Sequence, residues 1–250
     1  MAARNEGAAI AATLASLRLA LPEAELWVAD DASGDDTAVL ARAAGARVVS
    51  GARHAGKGAA MSAAARVALA AGTDRARPTA ADRAPAGADR APASADRARG
   101  DAADELFLLC DGDLGDCAGE LAALLQAVSD GQAELAIAAL RERVGGGFGI
   151  ALGFARWAIR RSSGIELEAP LSGQRALRGE LLAKLLPFAG GYGMELGITI
   201  DAVRAGARVS ELELPLAHRA SGRTPAGFAH RARQLVDLVR AYASRARWGA

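Results

Sequence analysis

The strongest constraint on the fold is an apolar run that ends in two closely spaced carboxylates. The run from Leu106 to Cys110 contains no polar residue, and Asp111-Gly112-Asp113 follows it directly. A strand without polar alternation is covered on both faces, as in the parallel sheet of an α/β domain, and such sheets bind ligands at the carboxyl ends of their strands. Asp111 and Asp113 point to the same side of an extended chain, where their oxygens suit a hard divalent cation. Asp-Gly is also a common turn pair, so a polar turn that closes the strand is the alternative.

The composition excludes several classes of protein. Half of the 250 residues are hydrophobic (51%), which is enough for a core, and one domain is the simplest count. The net charge of +1 provides no broad basic surface, so we expect no nucleic-acid partner. We find no signal peptide and no run of the roughly 20 apolar residues that span a bilayer, which predicts a cytoplasmic protein. Arginine and alanine abound and lysine is confined to Lys57 and Lys184, which indicates a GC-rich, bacterial genome.

The hydrophobic pattern predicts alternating strands and helices, as in an α/β fold. Strands are predicted at 26–29, 47–49, 106–110, 134–139 and 208–214, and helices at 8–20, 37–44, 56–71, 119–128, 148–161, 178–186, 194–205 and 226–244. Residues 73–104 break the pattern, because the unit Ala-Asp-Arg-Ala-Pro recurs there without aromatic residues. Such a segment cannot form a packed core, so we predict a single domain, 1–250, with a disordered insertion at 73–104.

The amino terminus departs from this alternation. An α/β sheet of this kind begins with a strand before its first helix, yet only Met1, Ala2 and Ala3 precede the polar segment that starts at Arg4. We therefore expect the first strand to be truncated and a short apolar strand to lie upstream of Met1.

The segment from Gly51 to Gly58 partly matches the motif of a phosphate-binding loop. It matches most of the P-loop pattern, but the residue after Lys57 must carry a hydroxyl group for Mg²⁺, and here that residue is Gly58. A nucleoside-triphosphate P-loop is therefore not predicted.

Taken in order, the remaining motifs resemble one family. The segments Arg4-Asn5-Glu6, Val28 to Thr37, Gly56-Lys57-Gly58 and Asp111-Gly112-Asp113 look like the nucleotide-sugar half of a family 2 glycosyltransferase with the GT-A fold, a Rossmann-like, mostly parallel sheet flanked by helices. The segments Pro170 to Ala176 and Gly191 to Gly197 resemble the acceptor half of polyprenyl-phosphate sugar transferases and of glucosyl-3-phosphoglycerate synthases. The resemblance covers nearly the whole chain and implies the GT-A fold and a glycosyltransferase activity.

The resemblance also implies roles on the donor side, where a UDP- or GDP-sugar would bind. Glu6 and Asp31 would hold the base and ribose, Lys57 would lie near the same pocket, Asp111 would lie beside the ribose and metal, and Asp113 would bind Mn²⁺ or Mg²⁺. Carboxylates can accept hydrogen bonds from the nucleoside, and a divalent cation stabilises the leaving diphosphate. The structural alternatives are helix capping for Asp31 or Asp35, a solvated charge for Lys57 and a first-turn carboxylate for Glu6.

Three further residues are candidates for the metal site and for acceptor binding. A histidine in the setting of His218 completes the metal site in glucosyl-3-phosphoglycerate synthases, so the same role is expected for His218. Arg175 is a candidate for binding an acceptor phosphate, and Glu195 for orienting or deprotonating the acceptor. The expected acceptor is a polyprenyl phosphate or a small phosphorylated acid such as 3-phosphoglycerate. A surface or core position for His218 and a solvated or helix-capping Glu195 are the alternatives.

Two other classes of function stay open. A nucleotidyltransferase shares the sheet and a carboxylate-metal site, but it requires a triphosphate loop after the first strand, which Arg4 to Gly7 do not supply. The other class is a non-catalytic nucleotide-sugar-binding protein. The predicted helix at 148–161 fits either core packing or peripheral contact with a membrane, because arginines are interspersed among its apolar residues. The arginine-rich carboxyl-terminal helix permits a homodimer.

Overall fold

The computed structural model describes residues 1–76, 105–140, 149–216 and 225–246, and the side chains of 73–76, 140 and 225–232 are left out of the description. Strands and helices alternate along these residues. The strands are β1 (Ala2–Ala3), β2 (Trp27–Asp30), β3 (Arg47–Ser50), β4 (Leu106–Leu109), β5 (Leu135–Leu140), β6 (Arg175–Arg178) and β7 (Val209–Leu214). The α-helices are α1 (Ile10–Ala20), α2 (Thr37–Ala43), α3 (Lys57–Ala76), α4 (Ala122–Ser129), α5 (Ile150–Ser163), α6 (Gly179–Leu185), α7 (Met194–Arg204) and α8 (Pro225–Ala246). Two 3-10 helices cover Gly115–Leu121 and Gly191–Gly193.

The strands form two sheets that meet at β1. β1, β2 and β3 lie side by side and parallel, and a second sheet has the order β4-β6-β5-β7. A parallel bridge between Ala2 and Asp111 joins β1 to the end of β4. Among the strands described, only β6 runs antiparallel to its neighbours, β4 and β5. The predicted α/β fold with a mostly parallel sheet is confirmed.

Hydrophobic clusters cover both faces of this arrangement. Phe107 and Leu109 of β4 pack in the cluster that contains α3, α6 and α7, whereas Leu106, Leu108 and the following Cys110 pack with α1 and α4. Side chains of a strand alternate between its faces, so β4 is covered on both sides, as its apolar run predicts. The first three residues of β4 are nevertheless only half-buried, in contrast to Leu109.

The predicted elements agree with the observed ones apart from three differences. β1 is present as two residues paired with β2, and β6 begins at Arg175, where the sequence suggests only a strand and turn around Ser172 to Arg175. α3 continues through residues 73–76, which the sequence assigns to the insertion, because alanine and arginine favour a helix even without an apolar face. The rest of the predicted insertion, 77–104, lies outside the described residues.

Helix α5 has both a core face and an exposed face. Ala155, Ala158 and Ile159 are buried, which supports the core-packing interpretation of this helix. Ile150 and Trp157 are 63% and 53% exposed on the other side. Among the helices described, none combines the length and the apolar character that crossing a bilayer requires. Membrane contact therefore stays a prediction.

Candidate active site

The first turn of α3 is held close to the segment before α7. Gly58 has no room for a side chain, because a Cβ atom there would lie 1.8 Å from the carbonyl oxygen of Ala189. One turn further, the Ser62 hydroxyl donates to the Gly58 carbonyl at 2.6 Å and accepts the amide of Phe188 at 2.9 Å. This close packing explains the glycine after the lysine, and it places Lys57 beside the start of α7.

Lys57 lies between two carboxylates that are distant in sequence. Its Nζ atom is 2.6 Å from Oδ1 of Asp111, after β4, and 2.6 Å from Oε1 of Glu195, in the first turn of α7. Burial by itself would lower the pKa of Lys57, but the charges of Glu195 and Asp111 together outweigh it, so the pKa is raised. Lys57 is therefore a fixed cation at the centre of the site, and the solvated-charge alternative is wrong.

A short segment before β6 closes over the Asp111 carboxylate. The side-chain amide of Gln174 donates to Oδ2 of Asp111 at 3.1 Å, while Lys57 binds Oδ1. Gly173 passes so near that a Cβ atom would lie 2.6 Å from Asp111 Oδ2 and 2.7 Å from Lys57 Nζ. The Ser172-Gly173-Gln174 segment thus holds the orientation of Asp111, a role that the sequence did not assign to Gln174.

Asp113 differs from Asp111 in having no partner. Within the described ranges, no hydrogen bond or ion pair satisfies the half-buried Asp113 carboxylate. A free carboxylate at a strand end, close to a second one, fits a hard divalent cation that takes its other ligands from water and phosphate oxygens. No group of three His, Cys, Asp or Glu side chains that could hold a metal occurs among the described residues. His218, the other predicted ligand, lies outside them.

Glu195 is nearly inaccessible to solvent. The residue is 5% exposed, and its pairing with Lys57 satisfies the charge that burial would otherwise penalise. It stands in the first turn of α7, where a helix stabilises an ionised carboxylate. A buried carboxylate that shares the ammonium group of Lys57 with Asp111 can act on a group that enters beside this lysine.

Arg175 is not available to a phosphate. The residue is completely buried, and its donors bind the carbonyls of Ser172 at 2.8 Å and Pro170 at 2.9 Å and the hydroxyl of Thr199 at 2.8 Å. Desolvation lowers the pKa of Arg175, against the opposing charges of Glu195 and Glu211. The predicted contact with an acceptor phosphate is therefore wrong. The guanidinium instead fixes the loop before β6 against α7.

Asp31 anchors the loop that leads into α3. Its carboxylate accepts the amides of Ala55 at 2.7 Å and Gly56 at 2.9 Å, and it lies 2.7 Å from Nδ1 of His54. The other ring nitrogen of His54 is 3.2 Å from the guanidinium of Arg4. The buried Asp31 does not cap a helix, so that alternative is wrong, and His54 joins the site although the sequence left it unassigned.

The loops after β1 and β2 are joined by hydrogen bonds around Glu6. The backbone amide of Glu6 donates to the hydroxyl of Thr37 at 2.8 Å, and its carbonyl accepts the amide of Ile10 at the start of α1. The amide of Asn5 donates to Ser33, and the side chain of Asn5 accepts the amide of Gly34 at 2.8 Å. Glu6 thus lies before α1 and not in its first turn, so the first-turn alternative is wrong, and it belongs to a pair of hydrogen-bonded loops at the carboxyl ends of β1 and β2.

Tyr192 is a further member of the site that the sequence did not single out. Burial raises the pKa of its phenol, and the charges of Arg233, Lys57 and Arg4 act in the opposite direction. The backbone amide of Tyr192 donates to Asp237 of α8 at 3.2 Å. A Cβ atom at Gly56 would lie 3.5 Å from Gly191, so Tyr192 stands beside the segment that carries Lys57.

Comparisons with known proteins show what this chain is similar to. Residues 1–70 match the model of glycosyl transferase family 2, and no curated protein sequence matches the chain. Glucosyl-3-phosphoglycerate synthase from Mycobacterium tuberculosis in complex with phosphoglyceric acid is 27% identical, with a TM-score of 0.69 over 98% of this chain and 77% of that chain. The same synthase with Mn²⁺, uridine diphosphate and glucosyl-3-phosphoglycerate is 26% identical, with a TM-score of 0.65 over 97% and 78%.

A third structure of that synthase contains Mg²⁺ and uridine diphosphate, and it matches at 26% identity and a TM-score of 0.68, covering 98% of this chain and 76% of that chain. The matched structures contain the cations that the sequence resemblance implies. The protein described here is a glycosyltransferase with the GT-A fold, and its first 70 residues match the model of glycosyl transferase family 2.

Proposed function

We propose that this glycosyltransferase moves a sugar from a UDP-sugar to a small phosphorylated acid, with a divalent cation at Asp113. The observation that carries the proposal is the position of Lys57, 2.6 Å from both Asp111 and Glu195. One ammonium group thereby joins the carboxylate expected at the donor to the carboxylate expected at the acceptor. A transfer site requires both substrates within reach of the same few groups.

On the donor side, the proposal assigns the diphosphate to the space between Lys57 and Asp113. Lys57 supplies a fixed positive charge, and Asp113 supplies an unpartnered carboxylate for Mn²⁺ or Mg²⁺, with His218 as a predicted second ligand. The cation would stabilise the negative charge of the leaving diphosphate as a Lewis acid. Gln174 and Lys57 keep Asp111 oriented toward the ribose while the donor binds.

The nucleoside is assigned to the two joined loops at the ends of β1 and β2. Glu6 and Asp31 stand on these loops, and His54 and Arg4 line the same edge. Their hydrogen bonds hold the loops before any ligand arrives, so little conformational entropy remains to be lost on binding. Uridine is the proposed base because the matched structures contain uridine diphosphate.

On the acceptor side, Glu195 is proposed to orient the attacking hydroxyl. Its carboxylate is buried and paired with Lys57, and it lies in the first turn of a helix beside the donor-binding segment. A carboxylate positions a hydroxyl well only at hydrogen-bond distance, which its fixed place in the first turn of α7 favours. Arg175 acts behind it as a positioning residue, through Thr199 of the same helix.

A polyprenyl phosphate is the second candidate acceptor, because helix α5 exposes apolar side chains. Ile150 and Trp157 are both more than half exposed, and Arg161 lies on the same helix. A helix with these groups is suited to the boundary between lipid headgroups and acyl chains. The small acid is preferred because phosphoglyceric acid is bound in a matched structure of similar fold.

The test begins with thermal unfolding in the presence of UDP, GDP, CDP or TDP, each with Mn²⁺ or with EDTA. A nucleotide at a hundred times its dissociation constant should stabilise the fold by about 2.7 kcal/mol, which moves the midpoint by several degrees. We expect a shift for UDP that requires Mn²⁺ and disappears in Asp113→Ala. Asp116→Ala is the matched control, since Asp116 is exposed and only its backbone carbonyl is bound, by Ser16.

Transfer is then measured from UDP-glucose to 3-phosphoglycerate and, separately, to a short polyprenyl phosphate in detergent. Product with the small acid alone supports the proposal, whereas product with the lipid alone replaces it with the second candidate. A folded protein that shows no shift with any of the four nucleotides would contradict the function itself.

A further inference from the structure

A cavity of about 310 Å³ lies at the end of the sheet opposite the active site. Leu26 and Trp27 at the start of β2 line one side of it, and Leu106 to Leu109 of β4 line the other. Met1, which precedes the two-residue strand β1, also lines it. The cavity therefore lies between two strands that β1 separates farther along the sheet.

Helices cover this space on both faces. Leu17 and Leu21 of α1 lie on one side, and Met61, Ala64 and Ala68 of α3 lie on the other. These two helices belong to the separate hydrophobic clusters that cover opposite faces of β4. The cavity is thus an opening within the layer of the sheet, and we name it the β2–β4 slot.

The edge of β2 presents hydrogen-bonding groups to the slot. The amide of Ala29 donates to the carbonyl of Met1 at 2.8 Å, and the amide of Asp31 donates to the carbonyl of Ala3 at 3.1 Å. The ladder of a parallel pair repeats every two residues along a strand. The amide of Trp27, two residues before Ala29, therefore points into the slot.

The edge of β4 also presents backbone hydrogen-bonding groups to the slot. The amide of Ala2 donates to the carbonyl of Cys110 at 2.9 Å, and the carbonyl of Ala2 accepts the amide of Gly112 at 2.8 Å. By the same repeat, the amide and carbonyl of Leu108 point into the slot. The carbonyl of Glu105 points the other way, since it accepts the amide of Gly179 beside β6.

We propose that the β2–β4 slot binds one extended apolar segment, in line with β1 and parallel to both neighbouring strands. The length would match the four residues of β4. Alternate side chains would pack against α1 and α3, and the backbone would complete the ladders that Trp27 and Leu108 leave open. A compact apolar molecule would fill the volume but leave these amides without partners, which is unfavourable in a buried place. A strand meets both requirements.

Continuity with β1 decides how the segment lies. The hydrogen-bond ladders of β1 with β2 and with β4 fix the register and the direction of β1. A segment that continues β1 toward its amino end would keep that register and direction without a bend. The slot is at the amino ends of the strands, away from Asp111 and Glu195. The inference is therefore independent of the proposed substrates.

The test adds Ile-Val-Ile-Val directly before Met1 and compares the result with the unextended chain. We expect the amide of Leu108 to exchange with deuterium at least about tenfold more slowly, and the midpoint of thermal unfolding to rise by several degrees. The matched control carries Ser-Pro-Ser-Pro at the same place. It has the same length but lacks apolar side chains, and proline lacks the amide that a ladder needs.

Three outcomes would overturn the proposal. Equal exchange at Leu108 in the two extended chains would mean that the slot accepts no strand. A stabilisation that grows with protein concentration would mean that the segment pairs with a second copy instead. An apolar dye that protects the slot in the unextended chain, and stays bound with Ile-Val-Ile-Val present, would identify a pocket for small molecules.

Discussion

The two ends of β4 are built in opposite ways. At its carboxyl end, Asp111 is held by Lys57 from α3 and by Gln174 from the segment before β6, while Glu195 from α7 shares the lysine. At its amino end, Leu106 and Leu108 are half-buried beside a cavity of about 310 Å³. Polar groups from four parts of the chain converge at one end, and among the strands described the other end lacks a neighbouring strand on the side opposite β6.

The difference indicates that the geometry of the site depends on the carboxyl end of β4, whereas the stability of the sheet depends also on its amino end. The two residues of β1 are sufficient to join the sheets through Ala2 and to place the loop that carries Glu6. The ion pairs at Lys57 do not depend on how well Leu106 packs, because the first turn of α3 is fixed by Ala189 and Phe188. We therefore expect substitutions at the carboxyl end to affect activity strongly, and substitutions at the amino end to affect mainly stability.

The largest effect is expected for Lys57→Met. Without the ammonium group, Glu195 remains as a buried carboxylate without its ion-pair partner, and the donor diphosphate loses a fixed cation. We expect the rate of sugar transfer to fall at least about a hundredfold, and the free energy of unfolding to fall by about 1–3 kcal/mol. Activity with UDP-glucose and urea denaturation measure the two losses.

The chain provides a matched control in its only other lysine. Lys184 pairs with Glu180 one turn earlier on the exposed side of α6, at 2.6 Å. Lys184→Met should change the stability by no more than about 0.5 kcal/mol and leave transfer intact. Equal losses in the two variants would mean that Lys57 has no special place between the carboxylates.

A smaller effect, on both stability and ligand binding, is expected for Gly58→Ala. A Cβ atom 1.8 Å from the Ala189 oxygen must displace backbone, so α3 and the start of α7 would move apart and carry Lys57 away from Glu195. We expect a loss of about 1–3 kcal/mol in stability together with weaker binding of UDP and Mn²⁺. Calorimetry and thermal unfolding of the same sample measure both.

Gly153→Ala in α5 is the control for replacing a helical glycine with alanine where no neighbour is close. A Cβ atom at Gly153 meets nothing within 4 Å, and alanine favours a helix by about 1 kcal/mol over glycine. That variant should be as stable as the parent or slightly more so. A stable Gly58→Ala protein with full UDP binding would show that the close approach of α3 to Ala189 does not position the site.

Most of the fold was predictable because its strands are short apolar runs between helices. β2, β3, β5 and β7 appear where the hydrophobic pattern predicts them, within a residue at most ends. β6 was harder, because this central strand begins with Arg175, a residue type that is almost never fully buried. Its burial depends on the carbonyls of Pro170 and Ser172, and a sequence does not reveal where carbonyls point.

The members of the site were more predictable than their contacts. The family resemblance selected Lys57, Asp111 and Glu195, and the structure brings these three together. Their pairing depends on the approach of Gly58 to Ala189, which lies far away in sequence, and no local pattern signals it. His54 was missed for a related reason, since a lone histidine in a glycine-rich loop is meaningful only once Asp31 is seen beside it.

The smallest effect tests the open end of β4. Leu108→Ala removes a half-buried side chain beside an existing cavity, so we expect a cost of about 1 kcal/mol, whereas Leu135→Ala, at a fully buried position in β5, should cost about 2–5 kcal/mol. Urea denaturation of the two variants gives the difference. Repeating Leu108→Ala in the chain extended by Ile-Val-Ile-Val should raise its cost toward that of Leu135→Ala, because the filled slot would then bury Leu108. Equal costs for the two leucines in the unextended chain would mean that the amino end of β4 is already packed like the rest of the core.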